Sequence, residues 1–255
     1  FEVPPCTMKA EKFMLLPAVL TAVKYPRSVR SVLNYMTGFD TADPAAREAL
    51  CTDVVVNELM DIWFGGEGRK LDELAQPFAP VVRELKQGTL TDPEWDTLEG
   101  KVAKVLLADQ LSRSVFRGTA EAFEYDPYAL EIVREITSPD QIEKTVELPC
   151  AMLYLLPWAL AHSEKVEDLT TACDTIDKFI ARYPDFKLFS GRNKIAVAQH
   201  RDVLMYFGRY PQRNAAFGRT STPPEKAWLE DKSKLPGWAG GDLNFDAKLE
   251  FPPLE

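Results

Sequence analysis

Five prolines in this chain directly follow a side chain that can cap a helix, and this feature constrains the fold most. The pairs are Asp43-Pro44, Asp92-Pro93, Asp126-Pro127, Ser138-Pro139 and Thr222-Pro223. Proline suits the first helical position because the donor it lacks would have no partner there, while the preceding oxygen accepts from exposed amides. No segment keeps the strict apolar and polar alternation of a half-buried strand. The sequence therefore predicts an all-α fold.

Periodic segments between these starts give the positions of the helices. Two starts carry a full capping box, Ser138 with Gln141 and Thr222 with Glu225. The predicted helices cover 44–63, 78–87, 94–116, 127–137, 140–156, 164–182, 193–207, 211–217 and 223–231. Short loops between them predict an antiparallel helical array.

The chain of 255 residues suits one large domain with extensions. Residues 44–231 are predicted to form the helical-array domain. Residues 1–43 are partly helical in pattern but contain several prolines, and residues 232–255 combine glycine, proline and charge without a period. Both ends are therefore predicted to be irregular, the first as an N-terminal extension and the second as a C-terminal strap.

The overall charge and hydropathy exclude some classes of partner. The net charge is −9, which disfavours nucleic acid because phosphate backbones demand a cationic surface. The longest nearly apolar run, 148–161, is shorter than the ~18 residues that a membrane span requires. We expect neither nucleic acid as a partner nor a membrane span.

The cysteines and histidines give no metal motif. Cysteines stand at 6, 51, 150 and 173 without a Cys-x-x-Cys pair, and there are only two histidines. Free thiols, no metal and no cofactor are therefore predicted, in a soluble intracellular protein. Phe1 in place of methionine would fit a processed precursor, so the expected location is cytoplasmic or an organelle.

A charged pair lies on the apolar stripe of the helix near 99–118. Asp109 and Arg113, four residues apart, share that stripe with Val102 and Phe116. Burying a charge is costly unless it is paired. Either the two side chains form an internal pair, or Arg113 and Arg117 reach a polar pocket.

The segment 182–219 reverses the charge of the whole chain. It holds six arginines and two lysines against two aspartates, a net 8 − 2 = +6. Such a reversal is typical of an anion site, and the planar fork of arginine suits carboxylate or phosphate. The alternative is that these arginines cap helix ends and pair with the acidic remainder.

Arginine and histidine side chains are predicted to converge on one anion-binding pocket. His162 and His200 are the candidates for catalysis. The candidate ligand-binding residues are Asp109, Arg113, Arg117, His162, Ser163, Glu164, His200, Arg201, Arg209, Arg213, Asn214 and Arg219. Of these, Arg113, Arg117, His200, Arg209 and Arg213 are expected to converge, with His162 and Glu164 on the rim.

Three stretches together resemble a known family. They read DQLSRSVFRGT (109–119), HSEK (162–165) and HRDVLMYFGRYPQRNAAFGRTSTPPE (200–225), and DIWFGG (61–66) is similar to the family's opening motif. Residues 53–231 thus resemble the family called domain of unknown function 924, although Gln212 stands where that family usually has a histidine. The resemblance implies a tetratricopeptide-like array of antiparallel helices and supplies no activity.

Three functions stay open at this point. The favoured one is a binding module that holds an anionic small molecule or an acidic peptide in the pocket. The second is a cofactor-independent enzyme with His162 or His200 as general base and arginines that stabilise negative charge. The third is a structural or linker subunit that meets a protein partner through residues 1–43 and 232–255.

Overall fold

The structure, a computed structural model, describes residues 26–64 and 68–253. Within these residues the regular structure is helical, and the only bridge of strand type is an isolated contact between Pro236 and Leu243. The all-α prediction is confirmed. The α-helices are α1 (Val29–Thr37), α2 (Pro44–Ala49), α3 (Asp53–Phe64), α4 (Gly68–Ala75), α5 (Ala79–Gln87), α6 (Leu98–Leu106), α7 (Ser112–Val115), α8 (Asp126–Ile136), α9 (Ile142–Thr145), α10 (Cys150–Tyr154), α11 (Leu156–Ala161), α12 (Val166–Arg182), α13 (Lys194–Phe207) and α14 (Pro223–Glu230).

Two π-helical segments interrupt the regular ladder. Leu107–Leu111 joins α6 to α7, and Phe189–Asn193 leads into α13. A π segment accommodates an extra residue in one turn and is frequent at functional sites. Asp109 lies in the first segment and Asn193 in the second, so both irregular turns carry a buried polar side chain.

Some of the five predicted helix caps are present in the structure and others are not. The capping box of Thr222 is confirmed at the start of α14, and Asp43 accepts from the amide of Ala45 at the start of α2. Asp92 precedes a 3-10 turn without capping it, because its carboxylate pairs with Arg27. The box at Ser138 was a wrong prediction, since the next helix begins only at α9.

Three of the predicted helices are divided in the structure, and a fourth is mostly irregular. The segment 44–63 divides into α2 and α3, the segment 94–116 into α6 and α7 with the π segment between them, and the segment 140–156 into α9 and α10. Proline has no amide donor, and Pro149 precedes α10 while Pro157 lies in the first turn of α11. Of the segment 211–217 only a 3-10 turn, Pro211–Arg213, is helical.

Neighbouring helices form one packed series. Helix α8 packs between α6 and α11, α12 packs between α11 and α13, and α1 lies against α6. Val32 and Leu33 of α1 are buried in the main core. Residues 26–43 therefore contribute to the core, whereas the predictions for residues 1–25, Cys6 included, lie outside the described residues.

The C-terminal strap, residues 232–253, is irregular as predicted but packs against the helices. Leu235 and Leu249 are buried in a second, smaller cluster with residues of α13 and α14. The amide of Gln199 in α13 donates to the carbonyl of Phe245 over 2.9 Å. The strap thus lies across α13. None of the described helices is long and apolar enough to cross a membrane.

Candidate functional site

A buried aspartate and a histidine from different helices form the centre of the site. His162, at the end of α11, donates from Nδ1 to Oδ1 of Asp109 over 2.6 Å. Asp109 is 1 % exposed, and the amide of Gln110 donates to its other oxygen. The hydrogen bond fixes the tautomer of His162, which leaves the lone pair of Nε2 as the basic position.

Two arginines and a second aspartate surround this pair. Arg113 lies 3.2 Å from the Asp109 carboxylate and 2.9 Å from that of Asp126. Arg213 lies 3.6 Å from Asp126 and donates to the carbonyl of His162 over 2.7 Å. Both guanidinium groups also stand over the ring of Phe123, at 5.6 and 5.5 Å. Arg113 and Arg213 therefore converge, and the internal Asp109–Arg113 pair is present.

Burial and charge shift the titration of this cluster. Burial raises the pKa of Asp109, but Arg113 and His162 outweigh it and hold that pKa well below its usual range. Burial lowers the pKa of His162, with Asp109 opposing. Burial and the neighbouring Arg113 lower the pKa of Arg213. Burial raises the pKa of Asp126, with Arg113 opposing. At neutral pH Asp109 is therefore a carboxylate and His162 a neutral imidazole.

The second histidine lies directly beside the first. The rings of His162 and His200 have centroids 5.9 Å apart. His200 donates from Nδ1 to the carbonyl of Ala196 over 2.7 Å, and Trp238 of the strap stacks on its ring. Burial and the nearby His162 lower the pKa of His200 to about 3. Both imidazoles are thus neutral at physiological pH.

Two of the five expected basic residues do not contact this cluster. Arg117 pairs with Asp72 over 2.9 Å and is largely exposed. Arg209 pairs over 2.6 Å with Glu225, the partner of Thr222 in the capping box of α14. The predicted convergence is therefore found only in part, because Arg117 and Arg209 each form an ion pair with a separate carboxylate of the protein.

The remaining candidates hold the loop between α13 and α14 and the turn before α12. Arg219 binds Glu164 over 2.6 Å, and Glu164 also accepts from the amide of Tyr210 over 2.9 Å. Asn214 donates to Glu225 over 3.1 Å. Ser163 donates to Asp168 over 2.5 Å, and Arg201 is exposed on α13. These hydrogen bonds and ion pairs connect loops and helix ends of the same chain and so stabilise the fold.

Several residues of the site were missed in the sequence. Asp126 was read as a helix cap, yet it is the first residue of α8 and its carboxylate meets Arg113. Its local sequence, Asp followed by Pro, is typical of a helix cap and contains no signal of this contact. Trp238 and Tyr154 also line the neighbourhood, and nothing in their local sequence distinguishes them from core aromatic residues. No group of three or more metal-ligating side chains occurs among the residues described.

Comparison with known proteins adds a family and a fold. No curated protein matches the chain. The solved structure of the protein of unknown function ATU0120 from Agrobacterium tumefaciens is similar, with 22 % identity and a TM-score of 0.54 over 79 % of this chain and 96 % of that chain. At this identity the likeness concerns the fold alone. The model of the family DUF924, bacterial proteins of unknown function, matches residues 48–233. This range agrees with the blocks that carry the sequence resemblance, and the chain belongs to the DUF924 family.

Proposed function

We propose that the protein is an enzyme that performs acid–base chemistry on a small molecule, with His162 as the general base. The observation that carries the proposal is the 2.6 Å hydrogen bond from His162 Nδ1 to the buried carboxylate of Asp109. A carboxylate in this position orients the imidazole and stabilises the imidazolium that forms when Nε2 takes a proton. The side chain of His162 is 16 % exposed, so this edge of the cluster reaches solvent.

Charge around His162 suits a reaction in which negative charge develops on the substrate. A base is useful near neutral pH only if it starts unprotonated, and the lowered pKa of His162 meets that condition. Arg113 and Arg213 are already fixed by Asp126 and by backbone carbonyls. Preorganised cations of this kind stabilise a developing anion without rearrangement.

A turnover screen with a matched pair of variants tests the proposal. The wild-type protein is incubated with a pool of small metabolites, and consumption is followed by mass spectrometry. His162→Gln keeps a donor for Asp109 but has no basic nitrogen, so turnover should fall by about 10²-fold or more. Arg117→Gln, at the exposed pair with Asp72, serves as the control and should keep the wild-type rate.

Turnover that survives in His162→Gln would contradict the proposal. A ligand that stays bound to the wild-type protein with unchanged mass, without turnover of any pool member, would favour the second candidate, a binding module. The observation in favour of that candidate is the buried Arg213, whose pKa is lowered by burial and by Arg113, because an anion nearby would relieve both influences.

The finer expectations from the sequence are retained as proposals. They are a tetratricopeptide-like order of the helices, an anionic small molecule or acidic peptide as ligand, and a soluble intracellular location. A protein partner at residues 1–43 and 232–255 is the weakest of them, since the described strap packs on its own domain instead of leaving it.

A further inference from the structure

Arg192 is an arginine near the site without an acidic partner among the described residues. It lies in the π segment before α13 and is partly buried. Its guanidinium contacts the sulfur of Met60 at 3.7 Å and the ring of Phe245 at 5.1 Å. No carboxylate of the described residues forms an ion pair with it. A desolvated cation in apolar surroundings is costly, and an anion would reduce that cost.

Two buried polar groups beside it also lack partners. Tyr154 is fully buried, and its hydroxyl has no hydrogen-bond partner among the described residues. Asn193 is 1 % exposed, and its amide donates to the carbonyl of Tyr154 over 3.0 Å while its Oδ1 has no described partner. Buried polar groups are nearly always satisfied, so the Tyr154 hydroxyl and Asn193 Oδ1 are each available for a hydrogen bond with a bound group.

The arginine and the tyrosine face the same side of α3. Arg192 contacts Met60, and the ring of Tyr154 stacks against Trp63 with centroids 6.5 Å apart. Met60 and Trp63 are three residues apart and hence neighbours on one helical face. Burial raises the pKa of Tyr154, while Arg192 is close enough to oppose that rise. The cation and the hydroxyl therefore share one environment.

We propose that Arg192 and Tyr154 hold an oxyanion of the substrate, a carboxylate or a phosphate group. The guanidinium supplies charge and a two-pronged donor, and the tyrosine supplies a single hydroxyl donor. Asn193 Oδ1 would accept from a hydroxyl group adjacent to the anion. The proposal assigns a substrate class and rests to that extent on the proposed function.

An aromatic side chain lies between the oxyanion subsite and the histidine pair. Tyr154 ends α10, Trp158 lies in α11, and His162 directly follows α11. The ring of Trp158 is 6.4 Å from that of Tyr154 and 6.1 Å from that of His200. We therefore expect a substrate that extends past Trp158, with the oxyanion and the reacting group on opposite sides of this ring.

Thermal stability in the presence of simple oxyanions tests the subsite. Inorganic phosphate and acetate are titrated separately, with sodium chloride at matched ionic strength as the reference. The melting temperature of the wild-type protein should rise with the logarithm of one or both anions. The larger rise identifies a phosphate or a carboxylate as the natural group. Arg192→Gln should weaken this binding at least about tenfold, whereas Arg201→Gln, an exposed arginine of the next helix, should not change it.

Tyr154→Phe separates a ligand-binding hydroxyl from a structural one. Because that hydroxyl has no partner among the described residues, its removal should not lower the melting temperature of the free protein but should still weaken anion binding. Binding that is equal in wild type and Arg192→Gln, or no effect of either anion, would overturn the subsite. His162→Gln should bind the anions as the wild type does. If anion binding depends on Arg192 but the wild-type protein turns over no member of the metabolite pool, the proposed function is refuted and the subsite is retained.

Discussion

Trp238 lies flat on the imidazole of His200, with ring centroids 3.8 Å apart and planes inclined by 20°. The two residues are brought together because the strap crosses α13. There the side-chain amide of Gln199 donates to the carbonyl of Phe245, and its Oε1 accepts from the indole of Trp238 over 3.2 Å. One segment outside the helices therefore covers both His200 and, through Phe245, the guanidinium of Arg192.

Trp238→Ala should expose His200 and loosen the strap. The loss of the stacked ring returns water to the imidazole, so the lowered pKa of His200 should move back towards its ordinary value. We expect a stability loss of about 1–3 kcal/mol, since Trp238 is partly buried. NMR titration of the imidazole measures the first effect and chemical denaturation the second. Trp238→Phe keeps a stacking ring and should change the pKa much less, and an unchanged pKa in the alanine variant would contradict the prediction.

The stability of the protein should fall as the pH falls below 6.5, in part because of His200. Its pKa is lowered from 6.5 to about 3 in the folded state, by burial and by His162. Between these values the unfolded chain takes up a proton that the folded chain does not, so stability decreases with falling pH by about 1.4 kcal/mol per pH unit for this group. The groups that act on it are His162, Arg213 and Asp109.

Denaturation of His200→Gln between pH 6 and pH 5 provides the measurement, because carboxylates contribute little in that range. The slope of stability against pH should be smaller in the variant than in the wild type. Equal slopes would mean that His200 is protonated in the folded protein.

Asp109→Asn should destabilise the protein strongly, by about 3–5 kcal/mol, because it removes a buried carboxylate that binds His162 and pairs with the partly buried Arg113. Glu147→Gln is the matched control, since it breaks an exposed pair with Arg182 and should leave the unfolding midpoint nearly unchanged. Urea denaturation compares the two. Similar losses in both variants would refute the distinction between buried and exposed pairs.

Cys51 should be the most reactive thiol of the described residues. The neighbouring thiol of Cys150 lowers the pKa of Cys51 to about 6, against the effect of burial. Burial raises the pKa of Cys173. Iodoacetamide at neutral pH should label Cys51 several-fold faster than Cys173, as followed by peptide mass spectrometry. Cys150→Ala removes this neighbouring thiol and should slow the labelling of Cys51, and no slowing would show that Cys150 does not lower the pKa of Cys51.

The three cysteines that the structure describes are free, in line with the sequence prediction. Cys150 is buried, so it should resist the reagent while the fold is intact. Labelling of Cys150 at the rate of Cys51 would indicate that α10 opens readily.

The sequence by itself determined the helical class and the partners that lie on one helix. Caps such as Thr222 act on amides only three residues away, and Asp109 meets Arg113 because residues four apart share a helical face. The family resemblance was also a property of the sequence, and its range is close to the matched residues 48–233.

Only the tertiary structure decided which charges meet across helices. His162 binds Asp109 across 53 positions of sequence. Asp126, which the sequence predicts to be a helix cap, pairs with Arg113 instead. These contacts depend on how packed helices cross, which local spacing does not contain. Burial then selects among possible pairs, because a charge inside the core must find a partner whereas an exposed one such as Arg201 need not.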